Sequence, residues 1–382
     1  MSSPLRTILA ERSLVLTMGS GGVGKTTIAA ALGLGASHGL GRSTSVLTVD
    51  PARRLASVYG LDAAPGPIEI TLPPTGVDGG RLIIEMIDPA EAWDDLVSRE
   101  LGAGEAALLR QNSMYRAVTR QFVQSHDFIA VERLFHLLQR GEGTVIVDTP
   151  PSVRGLDFLA GPARMRSFLT LRSLSWFTGT SGGPITDLAA RPFRAVGDRV
   201  LGRGFVGDLV EFFRLAGGLV EGLLDRADRV QAALDGAAAV IVTSPESGPL
   251  THARALGDSL DSEVGGPDWC ASVVNLVTPQ RPTFDADPAA VIAEIEGLCG
   301  PKRGVEGPQG LDQAVEDFVR RGLERMERDD ERVVGDRTRM SEAFAGDGMP
   351  AWAVVERRDR PPASIDVLAG IAAELDLGPA AG

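Results

Sequence analysis

The sequence predicts an α/β fold in which helices flank a mostly parallel central sheet, with a helical subdomain inserted into the chain. Two observations support this prediction. Short apolar segments of strand length alternate with segments of helical periodicity, which is typical of a parallel sheet with helical crossovers. Several of the apolar segments end in polar residues, and open α/β sheets bind ligands at the carboxyl ends of their strands.

A glycine-rich loop follows the first apolar segment and precedes an Ala-rich helical segment, which is the context of the loop in a P-loop NTPase. Small residues let backbone N–H groups surround a phosphate, and the helix N-terminus adds partial positive charge. Lys25 is predicted to reach the β- and γ-phosphate oxygens, and the Thr26 hydroxyl to hold Mg²⁺. The candidate nucleotide-binding residues of the loop are Gly19, Ser20, Gly21, Gly22, Val23, Gly24, Lys25, Thr26 and Thr27.

The same glycines also fit a second class of site. Gly19, Gly21 and Gly24 have the spacing of a dinucleotide-binding fingerprint, and Asp50 lies about where a ribose-binding acid would follow. That interpretation predicts an NAD-dependent oxidoreductase. Lys25 and the threonine after it favour the P-loop, because a triphosphate–Mg²⁺ site needs those groups and a dinucleotide fold does not.

The remaining apolar segments define the predicted sheet. The first helix is expected from near Ile28 to about Gly39, and the Gly- and Pro-rich stretch from Asp62 to Gly80 is expected to be a surface loop. The predicted strands are Ser13–Met18, Val46–Val49, Leu82–Ile87, Thr144–Val147, Ala238–Thr243, Ala271–Val277 and Trp352–Val355.

Helical periodicity divides the chain into a nucleotide-binding core and two helical regions. Within the second region, Phe205–Val230 carries two adjacent apolar stripes, so this helix is either buried on two sides or lines a groove. The predicted division is 1–90 for the first part of the core, 91–142 for a helical insertion, 143–160 for the returning core strand, 161–235 for a helical subdomain and 236–382 for the nucleotide-base side of the core, which includes a charged helix over 311–341.

Composition argues against several classes of function. The net charge of −13 argues against a nucleic-acid surface or permanent docking on anionic lipid. No apolar run approaches the length of a membrane span, and the first residues lack a signal-peptide pattern, so a cytoplasmic location is expected. The two cysteines, Cys270 and Cys299, form no C-x-x-C pair, and the histidines lack metal-ligand spacing.

Several short motifs together resemble the ArsA/Get family of P-loop ATPases, which comprises anion-pump subunits and tail-anchored-protein targeting factors with a deviant Walker A loop. The resemblance covers nearly the whole chain. It implies an ATP hydrolase that uses ATP and Mg²⁺ and works as a dimeric nucleotide switch, coupled to a protein or membrane partner. The motifs are Gly19–Thr26, Asp50-Pro51-Ala52, Asp148-Thr149-Pro150-Pro151, the Val-Thr-Ser-Pro-Glu sequence from Val242 and the Val-Val-Asn sequence that ends at Asn275.

The resemblance also implies roles for individual residues. It makes Asp50 the switch I residue that orients the attacking water, and it makes Asp148 the switch II acid that supports Mg²⁺ through water. The implied catalytic residues are Lys25, Asp50 and Asp148. The implied metal-binding residues are Thr26, Asp50 and Asp148. A carboxylate near the γ-phosphate and a nearby metal are also most of what phosphoryl transfer requires. The family further suggests Asn275 for the adenine edge.

Ser20 departs from the family pattern, which has a lysine at this position that crosses the dimer interface to the partner's nucleotide. Three hypotheses follow. A paralogous subunit supplies the lysine in a heterodimer, an arginine such as Arg53 or Arg154 substitutes, or the homodimer binds ATP and hydrolyses it slowly. We favour the heterodimer, because the rest of the loop is intact.

The cysteine content also bears on the cargo. Arsenite requires about three converging thiolates, and this chain has two widely spaced cysteines, so metalloid pumping is not expected. The zinc-clamping C-x-x-C of some targeting factors is missing as well. An alternative function is therefore an ATP-dependent client-binding module with slow hydrolysis, whose groove would depend on Phe205–Leu224.

Overall fold

The computed structural model covers the predicted sheet and parts of the helical regions. Asp50 lies outside the described residues, as does Phe205–Leu224 except at Leu215 and residues 222–224. The described residues are 3–49, 54–62, 66–72, 80–87, 89–112, 115, 126–141, 143–169, 215, 222–262, 266–280, 311–345 and 352–378.

Within these residues, one 8-stranded sheet has the order β3-β4-β2-β5-β1-β6-β7-β8. Neighbouring strands are parallel except β3 and β4, which pair antiparallel at one edge. The fold is therefore α/β with a mostly parallel sheet, as predicted. The strands are β1 (Leu14–Met18), β2 (Thr44–Thr48), β3 (Gly66–Ile70), β4 (Leu82–Met86), β5 (Thr144–Asp148), β6 (Ala238–Thr243), β7 (Asp268–Val277) and β8 (Trp352–Glu356).

The predicted strands are all confirmed, with ends that shift by at most three residues. The prediction of a surface loop from Asp62 to Gly80 is wrong over β3. This segment alternates between exposed and more buried residues and pairs with β4 through Ile68 and Ile70. Pro67 cannot donate a ladder hydrogen bond, which is compatible with a strand at the edge of a sheet.

The helices flank the sheet on both faces. The first predicted helix starts at Lys25 rather than near Ile28. Five observed helices were not predicted: Pro4–Glu11, Arg54–Val58, Ser152–Leu159, Ser247–Ser262 and Ile365–Glu374. No helix in the described part of the chain is long and apolar enough to span a membrane. The helices are α1 (Pro4–Glu11), α2 (Lys25–Leu34), α3 (Arg54–Val58), α4 (Pro89–Gln111), α5 (His126–Gln139), α6 (Ser152–Leu159), α7 (Gly161–Leu169), α8 (222–235), α9 (Ser247–Ser262), α10 (Leu311–Ala343) and α11 (Ile365–Glu374).

Two apolar clusters cover the two faces of the sheet. Val15 of β1 and Val46 of β2 pack on the face that carries α1, α2 and α11. Their neighbours Leu16 and Leu47 pack on the opposite face, with residues of α4, α5, α8 and α9. Because successive side chains of a strand point to opposite faces, strands buried on both sides are apolar throughout, as parallel sheets require.

The far end of α2 continues as a π-helical turn, Gly35–Gly39. Leu377, which follows α11, approaches this turn so closely that a β-carbon on either Gly35 or Gly39 would collide with it. Arg6 of α1 donates to the Gly39 carbonyl at 3.5 Å and to the Gly378 carbonyl at 3.3 Å. The π turn is thus enclosed by both ends of the described chain.

Candidate functional site

The glycine-rich loop connects β1 to α2 at the carboxyl end of the sheet. Gly19, Gly22 and Gly24 have φ angles of 148°, 84° and 88°, which L-residues with side chains rarely adopt. A β-carbon at Gly19 would collide with the Val242 carbonyl, and one at Gly24 with the Asn275 amide. The loop conformation therefore requires glycine at these two positions for reasons of both φ and space.

Lys25 is the first residue of α2 and is 8% exposed. Its ammonium group donates a hydrogen bond to the Ser20 carbonyl at 2.9 Å. The Lys25 side chain thus reaches back across the glycine-rich loop to its second residue. It also lies at the positive end of the α2 dipole. This places a cation and a helix N-terminus together on one short segment of chain.

Asp148, the last residue of β5, lies against the start of α2. Its Oδ2 accepts a hydrogen bond from the Thr26 hydroxyl at 2.7 Å and another from the Thr48 hydroxyl at 3.0 Å. Asp148 is 1% exposed, so the carboxylate is buried and held by hydroxyl donors. The structure therefore brings together Lys25, Thr26 and Asp148, three residues that the sequence predicted for one site.

The segment after Asp148 is also fixed to the loop region. The Thr149 hydroxyl donates to the Thr17 carbonyl at 2.8 Å, which ties this segment to β1. Pro151 follows, and its Cβ would lie 4.0 Å from a β-carbon built on Gly21. The two predicted motifs, the loop and the Asp-Thr-Pro-Pro turn, are therefore neighbours in space.

Asn275 lies beneath the loop, near the end of β7. Its side-chain amide donates to the Val23 carbonyl at 2.8 Å, and the residue is 4% exposed. The donor of Asn275 thus holds the loop backbone. Its predicted contact with an adenine edge stays a prediction.

The Ser20 hydroxyl, at the position of the departure from the family pattern, is buried. It has no hydrogen-bond partner among the residues that the structure describes. Asp50 and Arg53 lie outside those residues, and the side chain of Arg154 is not described.

Cys270 is a free, half-buried cysteine. Desolvation by burial raises the pKa of its thiol, which disfavours the thiolate form that binds soft metals. Cys299 lies outside the described residues. Within the described part of the chain, no group of three or more His, Cys, Asp or Glu side chains is arranged to hold a metal.

Sequence reasoning missed Thr48, the second donor to Asp148. Thr48 ends β2 two residues before Asp50, so a polar residue at a strand end was a visible signal. Its partner could not be read from the sequence, because it depends on β2 lying beside β5.

The chain was compared with known proteins. Residues 12–178 match the model of a family described as anion-transporting ATPase. The match covers β1 to β5, the glycine-rich loop, Asp50 and Asp148, and it is somewhat less than half of the 382 residues. None of the curated proteins matches the chain. The likeness to this ATPase family thus belongs to the part of the chain that carries the loop and both acids.

Proposed function

We propose that this chain is an ATPase of the anion-transporting, ArsA/Get-like kind, which binds and hydrolyses ATP with Mg²⁺ as a nucleotide switch coupled to a protein or membrane partner. The observation that carries the proposal is the 2.7 Å hydrogen bond from Thr26 to Asp148, directly after the glycine-rich loop and Lys25. The family match over residues 12–178 supports the same conclusion.

The loop and α2 bind the phosphates. Backbone N–H groups and the α2 dipole attract the negative charge, and Lys25 exchanges the Ser20 carbonyl for phosphate oxygens. This exchange is local, because the ammonium group already lies across the loop.

The Thr26 and Asp148 oxygens suit a hard divalent cation. Thr26 gives its one hydroxyl hydrogen to Asp148, so both lone pairs of its oxygen are available to a metal. Mg²⁺, when bound, supplies positive charge that offsets the charge of the transferring phosphoryl group. The Asp148 carboxylate, held at the start of α2 by Thr26, would help to hold this metal.

Hydrolysis needs a group that orients water. Asp50, two residues after the end of β2, is the proposed switch I residue. A water oxygen forms the new bond to the γ-phosphorus as the bond to the bridging oxygen of ADP breaks, and the protons of the water pass to the phosphate product and to solvent. Asp50→Asn is expected to retain ATP binding and lose turnover, and unchanged turnover in this variant would remove Asp50 from the mechanism.

Ser20 determines the proposed assembly. The family lysine at this position supplies charge across a dimer interface, and a serine cannot. We favour a heterodimer in which a paralogous subunit provides the cation; Arg53 or Arg154 is the alternative source. A cation of this kind, when it is an arginine, accelerates phosphoryl transfer by about 10³-fold or more.

The first test is ATP binding and phosphate release by the purified chain. Lys25→Ala is expected to lose ATP binding, because no other described residue of the loop carries a positive side chain. Lys302→Ala is the matched control, since Lys302 is the only other lysine in the chain. Full ATP binding by Lys25→Ala would contradict the proposal. NADH binding with the same affinity in wild type and Lys25→Ala would instead favour an NAD-dependent oxidoreductase.

The second test addresses Ser20. Wild type and Ser20→Lys are compared for ATPase rate, with molecular mass measured in ATP and Mg²⁺. A slow wild type that gains activity as a Ser20→Lys dimer is the expected result. Fast turnover of the unmodified chain as a symmetric dimer, unaffected by arginine substitutions, would exclude the heterodimer.

A second candidate function is a client-binding module in which ATP assembles a dimer and slow hydrolysis resets it. The lack of a lysine at Ser20 favours this candidate, because it predicts slow intrinsic turnover. The two functions differ in one measurable respect. Turnover that a partner protein or membrane accelerates supports the coupled switch, whereas turnover that stays slow with every partner supports the client-binding module.

A further inference from the structure

We propose that Thr48 is a positioning residue for the metal site: it fixes the Asp148 carboxylate so that Thr26 is held ready to bind Mg²⁺. This inference rests on the proposed function. It adds a residue outside both the glycine-rich loop and the acidic motifs, and it makes the end of β2 part of the metal site.

The geometry places Thr48 directly opposite Asp148. The two residues are partners in the parallel register of β2 and β5. Two residues earlier on the same strands, Val46 and Ile146 pack in the cluster on the α2 face. Because side chains two apart on a strand share a face, Thr48 and Asp148 also point towards α2, where Thr26 begins the helix.

Both threonine hydroxyls donate to the same oxygen, Oδ2 of Asp148. The terminal torsion of an aspartate side chain has a broad energy well, so one donor leaves the carboxylate free to rock. A second donor from a different element fixes its plane. Asp148 is 1% exposed and the bond from Thr48 is buried, and hydrogen bonds are electrostatically stronger in such an environment than in water.

The orientation of Asp148 then determines that of Thr26. A hydroxyl has a single hydrogen, so the direction of its donor bond sets the direction of its lone pairs. If the carboxylate turns, the Thr26 hydrogen follows it and the lone pairs leave the direction in which they would meet a metal. Thr48 thus acts on the metal ligand through the carboxylate.

The backbone makes the same connection between the two strands. The Val49 N–H donates to the Asp148 carbonyl at 3.2 Å. Val49 separates Thr48 from Asp50, so the chain that leads to the proposed switch I acid is joined to Asp148 by a backbone bond and a side-chain bond. Removal of the hydroxyl would loosen the carboxylate while leaving the backbone bond in place.

Thr17 provides a matched control. It lies opposite Asp148 on the other side, in the register of β1 and β5, and it is fully buried. Its hydroxyl donates to the Val147 carbonyl at 3.3 Å rather than to the carboxylate. Thr17→Val therefore removes a buried hydroxyl from the same region without removing a donor to Asp148.

The test measures binding of a fluorescent, non-hydrolysable ATP analogue to the full chain, with and without Mg²⁺. In Thr48→Val, the Mg²⁺ concentration at half-maximal enhancement of binding is expected to rise by about 10-fold or more, as for other residues that orient a metal ligand. Binding in EDTA is expected to stay at the wild-type value. Thr48→Ser should restore the wild-type Mg²⁺ dependence, and Thr17→Val should leave it unchanged.

The outcomes distinguish a failure of the proposed role of Thr48 from a failure of the proposed ATPase function. A wild-type Mg²⁺ dependence in folded Thr48→Val, or an equal shift in Thr17→Val, overturns the role of Thr48 alone. If Thr48→Val does not fold, Thr48→Ala removes the same hydroxyl without adding a methyl group, and the same criteria apply. If the wild-type chain binds no nucleotide, or binds it without regard to Mg²⁺, the proposed function fails and this inference fails with it.

Discussion

Asn275 offers a direct test of whether the end of β7 recognises a base or supports the loop. In Asn275→Ala, the Val23 carbonyl loses a buried donor at 2.8 Å. Loss of a buried partner of this kind costs about 1–3 kcal/mol. If the whole cost falls on the loop conformation that binds phosphate, nucleotide affinity falls by roughly 5–150-fold.

The assay combines urea unfolding with ATP and GTP binding. Because the Asn275 donor is engaged by the loop backbone, ATP and GTP affinities are expected to fall by the same factor. Asn112→Ala is the control, since Asn112 is also buried and its side-chain oxygen accepts from the Tyr115 N–H at 3.2 Å, a bond that does not involve the glycine-rich loop. A fall in ATP affinity alone, with stability unchanged, would refute the loop-supporting role and favour the predicted adenine contact.

Two further predictions concern stability and reactivity. Arg133→Met removes the 2.5 Å partner of Glu85, which is 2% exposed and keeps a longer ion pair with Arg140 at 3.6 Å. This substitution is expected to lower the free energy of unfolding by about 2 kcal/mol in urea titrations, the loss of one hydrogen bond to a charged group. Arg81→Met, which removes an arginine from an exposed ion pair, should leave the free energy of unfolding nearly unchanged. Equal losses would contradict this. In a Cys299→Ser background, Cys270 should react with a thiol reagent more slowly than free cysteine at pH 8, with a rate that rises at higher pH, because burial raises its pKa. A rate equal to that of free cysteine would contradict the raised pKa.

The strands that lie in the middle of the sheet were the most predictable elements. Ala238–Thr243 was predicted with its observed bounds, because a strand buried on both faces is apolar from end to end and has abrupt limits. The glycine-rich loop was predictable for a different reason, since φ angles in the left-handed region leave few residues other than glycine.

Prediction from local composition failed where pairing between distant segments of the chain determines the structure. Pro67 and the glycines around it indicate a loop, and only the antiparallel partner β4 makes this segment a strand. The bonds from Thr48 to Asp148 and from Asn275 to Val23 join residues 100 and 252 positions apart. Such contacts depend on strand order, which periodicity does not contain.

The enclosure of the π turn at the end of α2 has a mechanical consequence. The contacts of Leu377 and Arg6 with the far end of α2 oppose a shift of this helix along its axis. Displacement must then be taken up by the glycine-rich loop itself and by the strand ends beside it. In the proposed nucleotide switch, α2 is therefore expected to stay in place, and movement is expected to begin in the segments around it.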